Sequence, residues 1–169
     1  IISDPKWLKN HLNNEFDIAF QDSDNYLNYL TNKGNLSWKK KLSGKIIGDI
    51  KQVDIYKNGR QQMMFRTNEK LYLLDRNGNE VKQLSFPINS NFSNIPISIF
   101  DYEKNRNYRF LISIDNKINM YDSNGKIVSG FRPPIFESKI INNPVHIRIN
   151  GKDYILVQLE DGSLKILDR

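Results

Sequence analysis

Short apolar runs alternate with polar, glycine-bearing turns along the whole chain. Phe110-Leu111-Ile112 and Tyr154-Ile155-Leu156-Val157 are continuously apolar, as strands covered on both faces require. Glu80-Val81-Lys82-Gln83-Leu84 is mixed, the pattern of a strand at a rim. Between residues 46 and 92 the pattern predicts four strands, at about 50–56, 61–66, 71–75 and 80–86. Before them it predicts Pro5–Asn10, Phe16–Gln21, Tyr26–Thr31 and Leu36–Leu42. After them come 97–102, 108–114, 117–122 and 126–131, and finally 145–149, 153–159 and 163–168. Asn-Gly is the favoured pair for a two-residue type I′ hairpin, because both residues need positive φ. It stands at Asn58-Gly59, Asn77-Gly78, Asn124-Gly125 and Asn150-Gly151, and Lys33-Gly34 and Asp161-Gly162 are similar. Six of nine glycines thus fall at predicted hairpins, and no phosphate-cradling glycine pattern is left over.

The pattern is periodic. Ile1-Ile2-Ser3-Asp4-Pro5 returns as Ile46-Ile47-Gly48-Asp49-Ile50 and as Ile140-Ile141-Asn142-Asn143-Pro144, with a weaker copy at Phe92-Ser93-Asn94-Ile95-Pro96. Leu71-Tyr72-Leu73-Leu74-Asp75-Arg76-Asn77-Gly78 independently matches Ile118-Asn119-Met120-Tyr121-Asp122-Ser123-Asn124-Gly125, 47 residues on. Repeats of about 1–45, 46–92, 93–139 and 140–169 follow. A four-stranded antiparallel unit recurring every ~40–50 residues is the signature of propeller blades. The expected fold is therefore all-β, a single partial β-propeller domain of about four antiparallel blades. The last blade lacks the outer strand expected of its siblings at 80–86 and 126–131. That leaves 163–168 as an open edge, and the chain is expected to continue past Arg169 with a glycine and an outer strand.

Composition agrees with this reading. Alanine occurs once, as Ala19, whereas Asn and Ile occur 22 times each, which disfavours helices and favours pleated positions. No run approaches the ~20 apolar residues of a membrane-spanning helix. Without Cys there is no disulfide, thiolate metal site or Cys nucleophile. The formal charge of +6 is spread along the chain, and the one run, Lys39-Lys40-Lys41, alternates across a strand. Binding to nucleic acid is not expected from such a distribution.

Candidate chemistry is sparse. His11 falls in a turn and His146 on a first strand, with no G-x-S-x-G to pair with either. Asp75-Arg76-Asn77-Gly78-Asn79 opens like a calcium loop, but Glu80 and Phe86 stand where the loop needs Gly and Glu. Asp75, Asp122 and Asp168 share one repeat position and, like Asp22-Ser23-Asp24, read as turn formers. No metal or organic cofactor is expected. The hairpin Tyr102-Glu103-Lys104-Asn105-Arg106-Asn107-Tyr108-Arg109 combines the residue types that anchor protein contacts, making Tyr102, Arg106, Tyr108 and Arg109 candidate partner-binding residues.

Tyr29-Leu30-Thr31-Asn32-Lys33-Gly34-Asn35-Leu36-Ser37-Trp38 resembles the repeat of quinoprotein-type propellers, in which Gly opens the outer strand and Trp follows four residues later. That family includes pyrroloquinoline-quinone alcohol dehydrogenases and non-enzymatic scaffold lipoproteins of outer-membrane assembly. The run from Asp4-Pro5-Lys6-Trp7 to Phe100-Asp101-Tyr102-Glu103-Lys104-Asn105-Arg106 is also similar to the C-terminal propeller of large uncharacterised bacterial envelope proteins. The resemblance implies a non-enzymatic interaction or scaffold module. It implies a place in the periplasm, in the cell envelope or outside the cell, with a protein or the parent's other blades as partner. A catalytic quinoprotein-like domain and a nucleic-acid-processing protein are the alternatives.

Overall fold

The computed structural model describes residues 1–88 and 94–168. The fold is all-β, with fourteen strands in four antiparallel sheets and one 3-10 turn, Lys82–Leu84, as the helical element among the described residues. Two compact units divide the chain, Ile1–Asn91 and Phe92–Arg169. The repeat boundary near 92–93 lies outside the described residues.

In the first unit, β1 (Lys6–Lys9), β2 (Phe16–Gln21), β3 (Tyr26–Leu30) and β4 (Leu36–Lys41) form one meander. A second is built from β5 (Ile47–Val53), β6 (Gln62–Arg66), β7 (Lys70–Leu74) and the two-residue β8 (Phe86–Pro87). Alternation along β1–β3 sends Leu8, Ala19, Leu27 and Tyr29 to one face, where they meet Met63, Phe65, Tyr72 and Leu74 of the second sheet. Both sheets are thereby locked into one core. The crossing from β4 to β5 is held by Gln21, whose Nε2 donates to the Gly44 carbonyl (2.8 Å) and whose Oε1 accepts from Ile46 N–H (2.8 Å).

In the second unit, β9 (Ser98–Phe100), β10 (Arg109–Ile114) and β11 (Lys117–Tyr121) form a three-stranded sheet. Another follows in β12 (Val145–Ile149), β13 (Lys152–Gln158) and β14 (Leu164–Asp168). Their shared core is Phe100, Leu111, Met120, Phe136, Ile155 and Val157.

Two expected outer strands are not continuous strands. At 80–86 the chain makes the 3-10 turn, which carries Leu84 into the core, before the short β8. The Ser85 hydroxyl replaces a ladder residue, accepting from Leu73 N–H and donating to Leu73 O, both at 3.0 Å. At 126–131 pairing stops after one bridge, Tyr121 to Ile127. Gly130 then takes φ +96, and the prolines at 133 and 134 have no N–H to give a ladder. The third sheet therefore has three strands, like the fourth, and the fourth is not the exception expected. First strands also end early. Asp54 closes a turn where strand was predicted to 56, and β9 ends at Phe100, leaving Asp101 and Tyr102 in a turn.

Turn geometry corrects a third expectation. Asn150 and Gly151 both have positive φ (51 and 79), as a type I′ turn requires. At Gly78 and Gly125 the glycine alone is left-handed. Those loops run one residue longer, closed by Gly78 N–H to Asp75 O (3.1 Å) and Gly125 N–H to Asp122 O (3.0 Å). The aspartates cap their own turns as expected. Asp75 Oδ1 accepts from Asn77 and Asn79 N–H (2.9 and 2.8 Å), and Asp122 Oδ1 from Asn124 and Lys126 N–H (both 2.9 Å).

Candidate functional site

Of the residues singled out in the sequence, Tyr102 is a core side chain. It is 5% exposed, 5.7 Å from the Phe100 ring and edge-on to His146 at 4.6 Å. Arg109, at the start of β10, joins Tyr102 on the wall of a cleft of about 310 Å³ shared with Met120, Val128, Gly130 and Phe131. Arg106 sits exposed at the hairpin tip, and Tyr108 is half-buried, 6.0 Å from Phe110. Neither lines that cleft, so the structure brings two of the four residues together. Asp101 fixes the tip by accepting from Asn105 N–H (3.1 Å) and from Arg106 N–H (3.0 Å to Oδ2). Arg106 has φ +64, a left-handed position costly for a side chain with a Cβ.

His146 has a structural place. Its Nε2 lies 2.8 Å from Asp153 Oδ1, and Arg148 grips the same carboxylate through Nε (2.8 Å) and Nη2 (3.0 Å). Among the described residues no three His, Asp or Glu side chains gather into a possible metal site.

The first unit holds a larger cleft, about 540 Å³, that no local sequence pattern announces. Three turns meet there: His11 and Leu12 after β1, Tyr56 to Gln62 between β5 and β6, and Asp75 to Asn77 after β7. Leu12 and Tyr56 are 69% and 52% exposed, so the rim is apolar. Arg60 and Arg76 line the wall together with Asp75, whose two oxygens bond within its own turn.

That wall is rigidly built. Asp54 accepts from Asn58 N–H (3.1 Å) and Gly59 N–H (2.8 Å), and Gln62 Oε1 accepts from Ile55 N–H (3.0 Å). Beneath it, buried Asp17 accepts from Asn10 Nδ2 (2.9 Å), the Tyr29 hydroxyl (2.8 Å) and Asn32 N–H (3.1 Å), with Arg76 Nη2 at 3.7 Å. Burial first, and then the Asp17 carboxylate, push the Tyr29 phenol well above its ordinary range, so it stays a donor. Trp38 stacks on Tyr29 (5.0 Å between centroids) and donates Nε1–H to the Arg76 carbonyl (2.8 Å). Gln61 Oε1 and Arg76 Nε, both shielded from solvent, have no hydrogen-bond partner among the described residues.

One signal could have found this loop. Asp54, Lys57 and Gly59 precede Asp101, Lys104 and Arg106 by 47 residues each. The left-handed φ values recur with them: 55 and 81 in the first hairpin, 53 and 64 in the second.

The sequence matches no family model and no curated protein. Solved structures do match. A crystal structure of BBS1N in complex with ARL6DN, soaked with lead, superposes with TM-score 0.65 at 12% identity, over 97% of this chain and 52% of that one. A mercury-soaked crystal of the same complex gives 0.64 at 11%, over 96% and 49%. The chain thus spans about half the length of the solved chains it matches. This likeness, with four antiparallel sheets in series, makes the fold that of a β-propeller segment.

Proposed function

We propose that the chain is a β-propeller interaction module that receives an acidic, partly apolar segment of a protein partner in the cleft of the first unit. The cleft carries the proposal: Arg60 and Arg76 on its wall, rimmed by exposed Leu12 and Tyr56. Arginine and tyrosine are the side chains that most often anchor protein contacts, and a pre-built wall spares the ordering cost of binding. Support comes from the BBS1N chain, a propeller solved with a protein bound to it. The hairpin bearing Arg106, Tyr108 and Arg109 would give a second contact. From the resemblance of its repeats, the module belongs to a larger bacterial envelope protein, placed in the periplasm, in the envelope or outside the cell.

The test is titration of the whole chain with paired peptides, N-acetyl-Leu-Glu-Glu-Phe amide and its Gln-Gln counterpart. The acidic peptide should bind, and Arg60→Ala or Tyr56→Ala should weaken it about tenfold with the melting curve unchanged. Equal binding of the two peptides would sink the proposal, as would indifference to both substitutions.

A further inference from the structure

The outer edge of β11 lies in mid-chain, and its hydrogen bonds stop and restart. Val128 N–H reaches the Met120 carbonyl (2.9 Å), and Phe136 N–H reaches the Asn116 carbonyl (3.0 Å). In an antiparallel ladder every second residue turns both its N–H and its C=O to the same side. Ile118 therefore points both groups outward between those two bonds, and among the described residues neither has a partner. Residues 129–135 leave the ladder there. Beside the gap lies a groove of about 210 Å³, lined by Lys117, Ile118, Phe131 and Pro133. Ile127 and Ile135 on its rim are 67% and 66% exposed.

The second sheet shows what fills such an edge. Its β7 is bonded at the same two repeat positions, by Val81 N–H to Leu73 O (2.8 Å) and Ile88 N–H to Glu69 O (2.7 Å). Between them Phe86 of β8 pairs with Leu71, the counterpart of Ile118. Counted back from the Ile88 and Phe136 bonds, Pro134 stands where Phe86 stands, and proline has no N–H to donate. The charges differ in step. Lys70 is paired with Glu80 (2.8 Å), whereas its counterpart Lys117 has Ile127 in place of that acid and, among the described residues, no ion pair.

We propose that the β11 edge is a strand-addition site that takes a short extended segment of a partner protein, antiparallel to β11. The segment supplies what β8 supplies in the second sheet: a backbone N–H and C=O for Ile118, with an apolar side chain beside it. Its next residue lies opposite Lys117, as Pro87 lies opposite Lys70, so an acid belongs there. The bonds of Val128 and Phe136 confine the occupant to the stretch opposite residues 117–119.

Amide hydrogen exchange in the intact chain tests this, read by NMR with N-acetyl-Thr-Phe-Glu amide as the probe. The Ile118 amide belongs to the second unit, so occupation of the first unit's cleft does not register there. In the free chain Ile118 should exchange faster than its paired counterpart Leu71. The peptide should slow that exchange saturably, and methylating its Phe nitrogen should abolish the effect. Lys117→Glu should weaken the peptide by roughly two- to fivefold, the worth of a cross-strand ion pair, and favour a Thr-Phe-Lys counterpart. An Ile118 amide as protected as Leu71 in the free chain, or indifferent to the peptide, overturns the proposal. So does protection by the N-methylated peptide, which would mean binding without the ladder, or an unchanged preference in Lys117→Glu.

Discussion

The two units carry the same repeat, yet one builds four-stranded sheets and the other three-stranded ones. They agree up to and just past the third strand. Asp75 and Asp122 cap equivalent turns, and the chain returns to donate Val81 N–H to Leu73 O (2.8 Å) and Val128 N–H to Met120 O (2.9 Å). Only then do they part. In the first unit Ser85 and Phe86 bring the segment back beside β7, whereas Gly130 and the two prolines keep it off the β11 ladder until Phe136 N–H meets the Asn116 carbonyl (3.0 Å). A good hairpin turn therefore does not make an outer strand; the residues that follow decide it. The units also differ in how their sheets interlock. Trp38 reaches from the first sheet to the Arg76 carbonyl and lies over Gly78, tying two sheets through one ring.

Both tryptophans, Trp7 and Trp38, belong to the first unit, so their fluorescence follows that unit while far-ultraviolet dichroism follows both. The largest effect is expected from Asp17→Ala, which leaves the Asn10 amide, the Tyr29 hydroxyl and Asn32 N–H without their acceptor. A loss of about 3–5 kcal/mol follows for a buried, multiply bonded charge, with the fluorescence transition falling below the dichroism transition. Coincident transitions would show that the units do not melt separately. Gly78→Ala comes next. At φ +80 its new Cβ would lie 3.0 Å from the Trp38 ring, so about 2 kcal/mol should be lost by chemical denaturation. Gly162→Ala in the second unit has φ +85 but open space around it, and about 1 kcal/mol is expected. Equal losses would remove Trp38 from the explanation.

Arg106→Gly should stabilise the second unit by about 1 kcal/mol, since it places at φ +64 the residue that its counterpart Gly59 already is. A destabilised variant would mean that the Arg106 side chain holds the hairpin. The smallest effect concerns acid. Burial opposes ionisation of Glu80, but Lys70 (2.8 Å) and Lys40 (3.5 Å) prevail and hold its carboxyl below the ordinary 4.5. A lowered folded value means that the stabilisation is complete above the unfolded value and is lost as pH falls through the folded one. Glu80→Gln should flatten the acid limb of the first unit's stability by up to about 1 kcal/mol, a modest sum for a partly solvated pair. An unchanged limb would assign the acid sensitivity elsewhere.

Strands whose apolar residues alternate or run unbroken were legible in the sequence: Phe16–Gln21 and Val145–Ile149 lie where the pattern puts them, to the residue. The outer strands were not. Glu80 to Leu84 has the mixed pattern of a rim strand, but a ladder also needs a partner in register, and Ser85 supplies that bond from a side chain. The Asn-Gly signal marked every turn it touched without fixing its length, because an Asp two residues before Asn77 and Asn124 captures the backbone first. The larger cleft joins turns near residues 11, 58 and 76, a juxtaposition that no local window contains. The burial of Tyr102 is hidden for a related reason: its neighbours in sequence are polar, but β9 ends at Phe100 and the ring packs against Phe100 and His146.

The matched bends at Lys57 and Lys104, and at Gly59 and Arg106, have a consequence for how such a chain diversifies. Two hairpins of one backbone form, 47 residues apart, are interchangeable mounts: whatever side chains one carries, the other can display at the same angles. Duplication or recombination in whole-repeat steps would then exchange hairpin tips mounted on one backbone form. Novelty is confined to the tips, and the cost of trying a new surface is set by a handful of exposed residues rather than by the stability of the fold.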